Sequence, residues 1–230
     1  MSSLVLVPGM VCDARLFAPQ IAALSARHFI ACAPITEWSS VGELAADILA
    51  RAPPRFALAG LSMGGIVAME ILRLAPGRVE RIALLDTNPL AESDVVKSRR
   101  LPQMKAVREG RLAEVMRNEM KPNYLAKGPR HADVLSLCMD MALSLGPTAF
   151  LNQSRALMDR QDQTRTLQAA ALPALVLCGR HDTLCPIDRH ELMAELIPGA
   201  QLKIIENAGH LPTLEQPAET NAALTYWLDS

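Results

Sequence analysis

Aromatic side chains are scarce in this sequence, since phenylalanine, tryptophan and tyrosine together make up 3% of its 230 residues. A surplus of one charge is lacking as well, because 23 basic residues are balanced by 24 acidic ones and the formal net charge is −1. Binding to nucleic acid or to an anionic membrane surface depends on an excess of positive charge. We therefore expect neither nucleic acid nor a membrane among the partners of this protein.

Cysteine is too sparse and too irregularly spaced to indicate a disulfide framework. The five cysteines are an odd number and form no CxxC pair, so reduced thiols in a cytoplasmic protein are the simplest interpretation. The sequence also lacks a P-loop, a dinucleotide fingerprint and any His, Cys or Asp cluster with the spacing of metal ligands. These patterns imply no cofactor and no metal ion.

Long hydrophobic runs are absent near the N-terminus. The first apolar run, residues 4–7, has no basic flank and is too short for a signal peptide or a membrane span. Half of all residues are nevertheless hydrophobic. This is enough for one domain with a substantial core and room for an inserted subdomain.

Short apolar runs alternate with helical patterns over most of the chain. Strands are predicted at residues 4–7, 29–33, 56–59, 81–85, 174–178 and 201–205. Helical patterns at 18–26, 41–52, 66–72, 192–197 and 219–228 lie between or after them. This alternation predicts an α/β fold in which helices flank a mostly parallel sheet of about six strands.

Residues 91–171 lose the strand pattern and show apolar residues at helical spacing, divided by prolines and glycines. We predict an all-helical cap here, inserted into a core formed by residues 1–90 and 172–230. Six methionines of this segment either line a pliable apolar pocket or fill contacts between helices: Met104, Met116, Met120, Met139, Met141 and Met158. Three arginines either form a solvated face or meet a substrate carboxylate: Arg99, Arg100 and Arg108.

The strongest motif is Gly60-Leu61-Ser62-Met63-Gly64, which follows an apolar strand and precedes a buried helical pattern. Ser62 is therefore predicted at the apex of a sharp strand-to-helix turn. Side chains at positions 60 and 64 would collide with the neighbouring strand and helix, and glycine avoids this clash.

Together with this turn, an early Pro8-Gly9-Met10 turn, a Gly-Arg-His-Asp segment ending at Asp182 and a late Gly209-His210 pair resemble the α/β-hydrolase fold family. The resemblance covers the chain except its middle third. In this family the Gly-x-Ser-x-Gly turn is the nucleophile elbow, and the residues follow the order Ser, acid, His. The resemblance thus implies Ser62, Asp182 and His210. It also implies a shortened sheet, because the usual N-terminal pair of antiparallel strands is missing.

The resemblance further implies an oxyanion hole made of two backbone N–H groups. One belongs to Met63, directly after the serine, and the other is carried over to Met10. The usual His-Gly pair of the family is Pro8-Gly9 here, so the motif is imperfect at this point.

Two carboxylates compete for the role of the acid. Asp182 follows the strand at 174–178 in a Gly-x-x-Asp context that is typical of the family. Asp86 ends the strand at 81–85, where some relatives place their acid. The motif favours Asp182, and either side chain would otherwise cap a turn or a helix.

A serine hydroxyl becomes a good nucleophile when a base removes its proton and a carboxylate holds that base in the correct tautomer. The predicted activity is therefore hydrolysis of a carboxylic ester of a small apolar molecule through an acyl-enzyme intermediate. Relatives use the same residues as lyases, C–C hydrolases or cofactor-free peroxidases, and a non-enzymatic small-molecule receptor is a further alternative.

Overall fold

The computed structural model describes residues 3–120 and 124–230, and it contains one six-stranded parallel sheet. The strands are β1 Ser3–Val7, β2 Phe29–Cys32, β3 Phe56–Leu61, β4 Val79–Leu85, β5 Ala174–Gly179 and β6 Gln201–Ile205. Their order across the sheet is β2-β1-β3-β4-β5-β6, and all neighbours are parallel. The predicted fold class, with a shortened sheet of about six strands, is confirmed.

Helices cover both faces of this sheet. They are α1 Ala18–Leu24, α2 Val41–Arg51, α3 Met63–Leu74, α4 Asp94–Arg108, α5 Leu112–Val115, α6 His131–Met158, α7 Thr164–Gln168, α8 Ile187–Leu196, α9 Pro212–Glu215 and α10 Pro217–Asp229. Helices α1 and α10 pack together on one face, whereas α2 and α3 pack together on the other. This explains why the sequence of β3 is a continuous apolar run and does not alternate.

Alternate residues of the central strands enter two separate cores. Val5 and Val7 of β1 join the core beneath α2 and α3, whereas Leu4 and Leu6 join the core beneath α1 and α10. Successive strand side chains point to opposite faces, so one apolar strand contributes to both cores. Strands β2 and β6 lie at the two edges of the sheet and are more exposed.

The chain between β4 and β5 is helical in its described residues, from α4 to α7, with one π-helical turn at Met116–Met120. Helix α6 bends sharply at Gly146, where φ is 78° and a proline follows. By length and composition alone, α6 would also be long and apolar enough to cross a membrane. Core helices that have no contact with lipid meet the same criterion, so this finding is weak.

The strand before Ser62 is longer than predicted. The sequence pattern ends this strand at Ala59, but in the structure Gly60 and Leu61 pair in register with Leu84 and Leu85 of β4. Gly60 and Leu61 therefore belong to the sheet, and the turn begins only at Ser62. Glycine is rare in a buried strand, and here the close approach of α3 requires it.

Candidate active site

Ser62 occupies a strained corner between β3 and α3. Its backbone angles are φ 55° and ψ −119°, a conformation that is uncommon for any residue except glycine. The Ser62 N–H donates to the carbonyl of Leu85 at 2.8 Å, and the Ser62 carbonyl accepts from the Thr87 hydroxyl at 2.7 Å. Strand β4 and the residues after it therefore hold the corner in place.

The glycines around Ser62 are required by close packing of the backbone. A Cβ atom at Gly60 would lie 2.2 Å from the carbonyl oxygen of Gly64, and one at Gly64 would lie 1.9 Å from that of Val7. Both contacts are with backbone, which cannot move aside without disturbing β1 or α3. The first turn of α3 thus packs directly on the ends of β1 and β3.

The structure brings Ser62, Asp182 and His210 together at the carboxyl edge of the sheet. Nε2 of His210 lies 2.9 Å from Oγ of Ser62, and Nδ1 of His210 lies 2.8 Å from Oδ2 of Asp182. With a proton on Nδ1, the imidazole donates to the carboxylate and accepts from the serine hydroxyl. The three residues follow β3, β5 and β6, so parallel strands deliver them to one edge.

Asp182 is held as an ionised carboxylate. Its Oδ1 accepts backbone N–H groups from Leu184 at 2.8 Å and from Cys185 at 3.0 Å. Burial by itself raises the pKa of Asp182, but the charge and hydrogen bond of His210, together with these two N–H groups, lower it overall. A charged Asp182 can orient His210 and stabilise its protonated form.

The loop that carries His210 is fixed by a buried glutamate. Oε1 of Glu215 accepts the N–H groups of Gly209 and Leu211, each at 3.0 Å, on either side of the histidine. The N–H of His210 itself donates to the carbonyl of Tyr124 at 2.7 Å. Sequence reasoning missed Glu215, because a glutamate after a proline in a short helix gives no signal of this contact.

Asp86, the competing acid, lies near Asp182, and its side chain bonds to the backbone of Gly179 and not to His210. It is fully buried at the end of β4, and its Oδ1 accepts the N–H of Gly179 at 2.9 Å. Burial raises the pKa of Asp86 well above its ordinary value, and the negative charge of Asp182 raises it further. The pKa shift therefore favours the protonated form of Asp86 beside the charged Asp182.

The raised pKa of Asp86 predicts a pH-dependent effect of the substitution Asp86→Asn. The native protein keeps the Asp86 proton above the ordinary pKa of 3.8, whereas the unfolded chain releases it. The contribution of Asp86 to native stability therefore falls as pH rises from 3.8 towards the raised pKa. Asparagine is neutral throughout, so we expect Asp86→Asn to raise Tm more at neutral pH than in acid, measured by thermal denaturation.

The exposed Asp140 provides the control for this measurement. The variant Asp140→Asn should give a curve of Tm against pH that runs parallel to that of the wild type. A constant Tm difference between Asp86→Asn and the wild type at all pH values would contradict a neutral Asp86.

The backbone N–H groups predicted to form the oxyanion hole belong to two elements next to Ser62. Met63 is the first residue of α3, where N–H groups have no partner within the helix. The turn containing Met10 lies against Ser62, since a Cβ atom at Gly9 would be 3.5 Å from the Cβ of Ser62. Val11, the next residue, has a positive φ of 50°, which is rare for a β-branched side chain.

Comparison with known proteins decides the family. A model of the family described as "Alpha/beta hydrolase family" matches residues 4–223. The chain belongs to the α/β-hydrolase family. This confirms the family that the motifs around Ser62, Asp182 and His210 predicted.

Individual relatives are more distant in sequence than in structure. A pimeloyl-[acyl-carrier protein] methyl ester esterase from Nitrosomonas europaea is 24% identical over 193 residues, covering 78% of this chain and 74% of that protein. A thermophilic esterase from Thermogutta terrifontis superposes with a TM-score of 0.90 at 27% identity, covering 100% and 90%. An enol-lactonase from Burkholderia xenovorans gives a TM-score of 0.89 at 22% identity, covering 100% and 92%, which shows the fold alone. The predicted ester hydrolysis agrees with these relatives.

A cavity of about 410 Å³ opens onto Ser62 and His210 in this α/β-hydrolase. Of the six methionines in the predicted cap, only Met120 lies in its wall among the described residues. Met104, Met116 and Met141 are buried in the cores, and Met139 and Met158 pack against one of them. The interpretation as a methionine-rich pocket lining is therefore wrong for five of the six, which fill contacts between helices.

Two of the three arginines in the predicted cap line this cavity, and the third does not. Arg99 and Arg100 belong to its wall, whereas Arg108 is exposed at the far end of α4. The wall also contains Glu92 and Arg160, which sequence reasoning missed. They lie 68 positions apart, so no local motif joins them.

One group of described side chains has spacing that would suit a metal ion. Ligand atoms of Asp182, Cys185 and His210 lie within 4.8 Å of one another. Burial, however, raises the pKa of the Cys185 thiol well above its ordinary value, so it is a poor source of thiolate. Asp182 and His210 already bond to each other. The contact between Asp182 and His210 is thus the hydrogen bond that orients the histidine.

A further residue that sequence reasoning missed is Gln153 of α6, which connects this helix to the Met10 turn. Its Oε1 accepts the N–H of Val11 at 2.8 Å, and its Nε2 donates to the carbonyl of Ile35 at 2.9 Å. Gln153 is fully buried. A single side chain of α6 therefore stabilises the strained backbone at Val11, next to the N–H group of Met10.

We expect Gln153→Leu to lower kcat for ester hydrolysis by about tenfold to a hundredfold with less change in KM. Leucine has a similar size but leaves two buried backbone groups without a hydrogen bond, at a cost of about 1–3 kcal/mol each. If about 1.4 kcal/mol of this cost is added to the activation free energy, the rate falls about tenfold. Steady-state kinetics would measure the effect. The control is Asn152→Leu, because Asn152 donates to the carbonyls of Thr36 and Glu37 and does not reach Val11. An equal loss in both variants would indicate a general loosening of the cap.

Proposed function

We propose that this protein hydrolyses carboxylic esters of small molecules through an acyl-enzyme intermediate on Ser62. The observation that carries the proposal is the continuous hydrogen-bonded chain from Ser62 through His210 to Asp182, with links of 2.9 Å and 2.8 Å. Such a chain is the arrangement that converts a serine hydroxyl into a nucleophile at neutral pH.

In the proposed mechanism, Nε2 of His210 takes the hydroxyl proton as Oγ of Ser62 attacks the ester carbonyl. The N–H groups of Met10 and Met63 stabilise the developing oxyanion, and loss of one such donor costs about 3 kcal/mol in other hydrolases. His210 then donates its proton to the leaving alcohol. Next it accepts a proton from a water molecule, whose hydroxide attacks the acyl carbon. His210 then returns this proton to Oγ of Ser62 as the bond between Oγ and the acyl carbon breaks and the acid leaves.

Residues 91–171 are proposed to act as the cap that shapes the substrate cavity. In support, part of the cavity wall comes from α4 and α6 and part from the core residues Met10, Ser62 and His210. The relatives named as pimeloyl-[acyl-carrier protein] methyl ester esterases act on an ester of an acyl chain. An acyl ester is accordingly the substrate that we propose here, in a cytoplasmic enzyme whose five cysteines form no disulfide bond among the described residues.

Two measurements test the proposal. A fluorophosphonate should label the folded protein at Ser62, identified by peptide mass spectrometry. A series of p-nitrophenyl esters of increasing acyl length should be hydrolysed, with a maximum at the length that fits the cavity. Labelling without ester hydrolysis would favour a lyase, C–C hydrolase or peroxidase. Absence of labelling in folded protein would contradict every catalytic role for Ser62.

A further inference from the structure

One wall of the cavity contains two arginines around a single buried glutamate. Nε and Nη2 of Arg100 donate to the two oxygens of Glu92 at 2.6 and 2.8 Å, and Nη1 of Arg160 donates to Oε1 at 2.7 Å. The side chains are 1% exposed for Glu92, 9% for Arg160 and 14% for Arg100. Two positive charges thus meet one negative charge, and this cluster carries a buried surplus of one positive charge.

The remaining charged residues of the wall do not remove this surplus. Arg99 and Glu119 are both exposed and have opposite charges. Burial lowers the pKa of Arg160, and the neighbouring charge of Arg100 lowers it further, although Glu92 opposes both effects. An uncompensated buried charge is costly unless an opposite charge reaches it.

Arg100 also has a donor without a strong acceptor. Among the described residues, the hydrogen-bond partner of its Nη1 is the thioether sulfur of Met10 at 3.8 Å. A thioether is a weak acceptor. The guanidinium of Arg100 lines the same cavity as Ser62. It contacts the side chain of Met10, whose backbone N–H is a proposed oxyanion donor, so it lies near the place where an ester carbonyl would react.

We propose that Arg100 and Arg160 form a carboxylate-binding subsite, so that preferred substrates carry a free carboxylate in addition to the reacting ester. A single carboxylate matches the surplus of one positive charge, and the planar guanidinium is well suited to bind it. Monoesters of short dicarboxylic acids belong to this class. The inference rests on the proposed function, because it assigns the substrate class of the same cavity.

The first test compares substrates that differ only in charge. Mono(p-nitrophenyl) adipate and p-nitrophenyl hexanoate share leaving group and acyl length, and one ends in a carboxylate where the other ends in a methyl group. The wild type should have the higher kcat/KM for the adipate ester. In Arg100→Gln the ratio of the two kcat/KM values should fall about tenfold, the factor typical of a lost charge-assisted hydrogen bond.

The matched control is Arg108→Gln, which removes one positive charge from the same helix outside the cavity. It should leave the ratio at the wild-type value. A second pair of substrates, acetylated hydroxyhexanoic acid and hexyl acetate, places the carboxylate on the alcohol side. Preference for the charged member of either pair, lost in Arg100→Gln, supports the subsite and identifies the side that it serves.

Variants of Glu92 separate binding from a structural role. Glu92→Gln raises the charge of the cluster, so the preference for the anionic ester should increase. The double variant Arg100→Gln/Glu92→Gln restores a surplus of one positive charge and should regain part of the preference. A purely structural cluster would lower the rates for both esters in every variant and leave their ratio unchanged.

Calorimetric binding of adipate to the wild type and to Arg100→Gln gives a readout that does not depend on turnover. Two results together would show that the proposed subsite is wrong: the ratio of kcat/KM for the anionic and neutral esters is the same in all variants, and adipate does not bind. The proposal of ester hydrolysis would then remain valid. If no ester is hydrolysed, the proposed function fails. Adipate binding that is weakened about tenfold in Arg100→Gln would still support the subsite.

Discussion

Replacing Ser62 with alanine is expected to lower kcat for ester hydrolysis by roughly 10⁵-fold with little change in KM. The expected loss is large because His210 and Asp182 have no nucleophile to activate without the hydroxyl 2.9 Å from Nε2. Alanine keeps the Cβ atom, so the backbone strain at this corner is unchanged. Steady-state kinetics with an ester hydrolysed by the wild type would measure the effect.

The control for this variant is Ser98→Ala, an exposed serine of α4 whose hydroxyl bonds only to the carbonyl of Val95 among the described contacts. Its kcat should equal that of the wild type. Residual activity of Ser62→Ala within about tenfold of the wild type would show that another group performs the chemistry.

The second large effect is expected for Asp182→Asn, which should reduce kcat by about 10⁴-fold. Asparagine can donate to Nδ1 of His210 and so favours the tautomer with the proton on Nε2. In that tautomer the imidazole cannot accept the serine proton. Its amide also cannot stabilise a protonated His210 as the carboxylate does. Kinetics at neutral pH, with thermal denaturation to establish folding, would measure this loss.

Asp86→Asn is the comparison that tests the choice of acid. The raised pKa of Asp86 favours its neutral form, and Asp86 accepts the N–H of Gly179. Asparagine is neutral and can accept the same N–H group. Its kcat should therefore stay within a few-fold of the wild type. If Asp86→Asn lost as much activity as Asp182→Asn, the two carboxylates would have to act as one unit, and the proposed roles would need revision.

The turn at Ser62 could be predicted because its signal is a contiguous five-residue motif. A Cβ atom at Gly60 or at Gly64 would lie 2.2 or 1.9 Å from a backbone oxygen atom. Glycine has no Cβ atom and is therefore the only residue that fits at these two positions. The apolar runs of β3 and β5 are likewise local consequences of a sheet covered on both faces. The sequence pattern gives too short a length for β3, because pairing with β4 extends this strand to Leu61.

The contacts that shape the cavity had no such local cause. Gln153 reaches Val11 across 142 positions, and Arg160 reaches Glu92 across 68. Glutamine, glutamate and arginine are common on helix surfaces, so these residues are indistinguishable from solvated ones in the sequence. Only the packing of α4 and α6 over the sheet shows which of these residues are buried and which partners they contact.

By itself the sequence determined the α/β-hydrolase fold and the serine turn, since these depend on apolar periodicity and on glycines that short-range crowding demands. The sequence motif favoured Asp182 over Asp86, and the tertiary structure shows that Asp182 is the one that bonds to His210. Both carboxylates follow parallel strands to the same edge, so only the fold could separate them. It also decided that two arginines share one buried carboxylate. Such a surplus of charge exists only after residues from separate segments of the chain meet and are buried together.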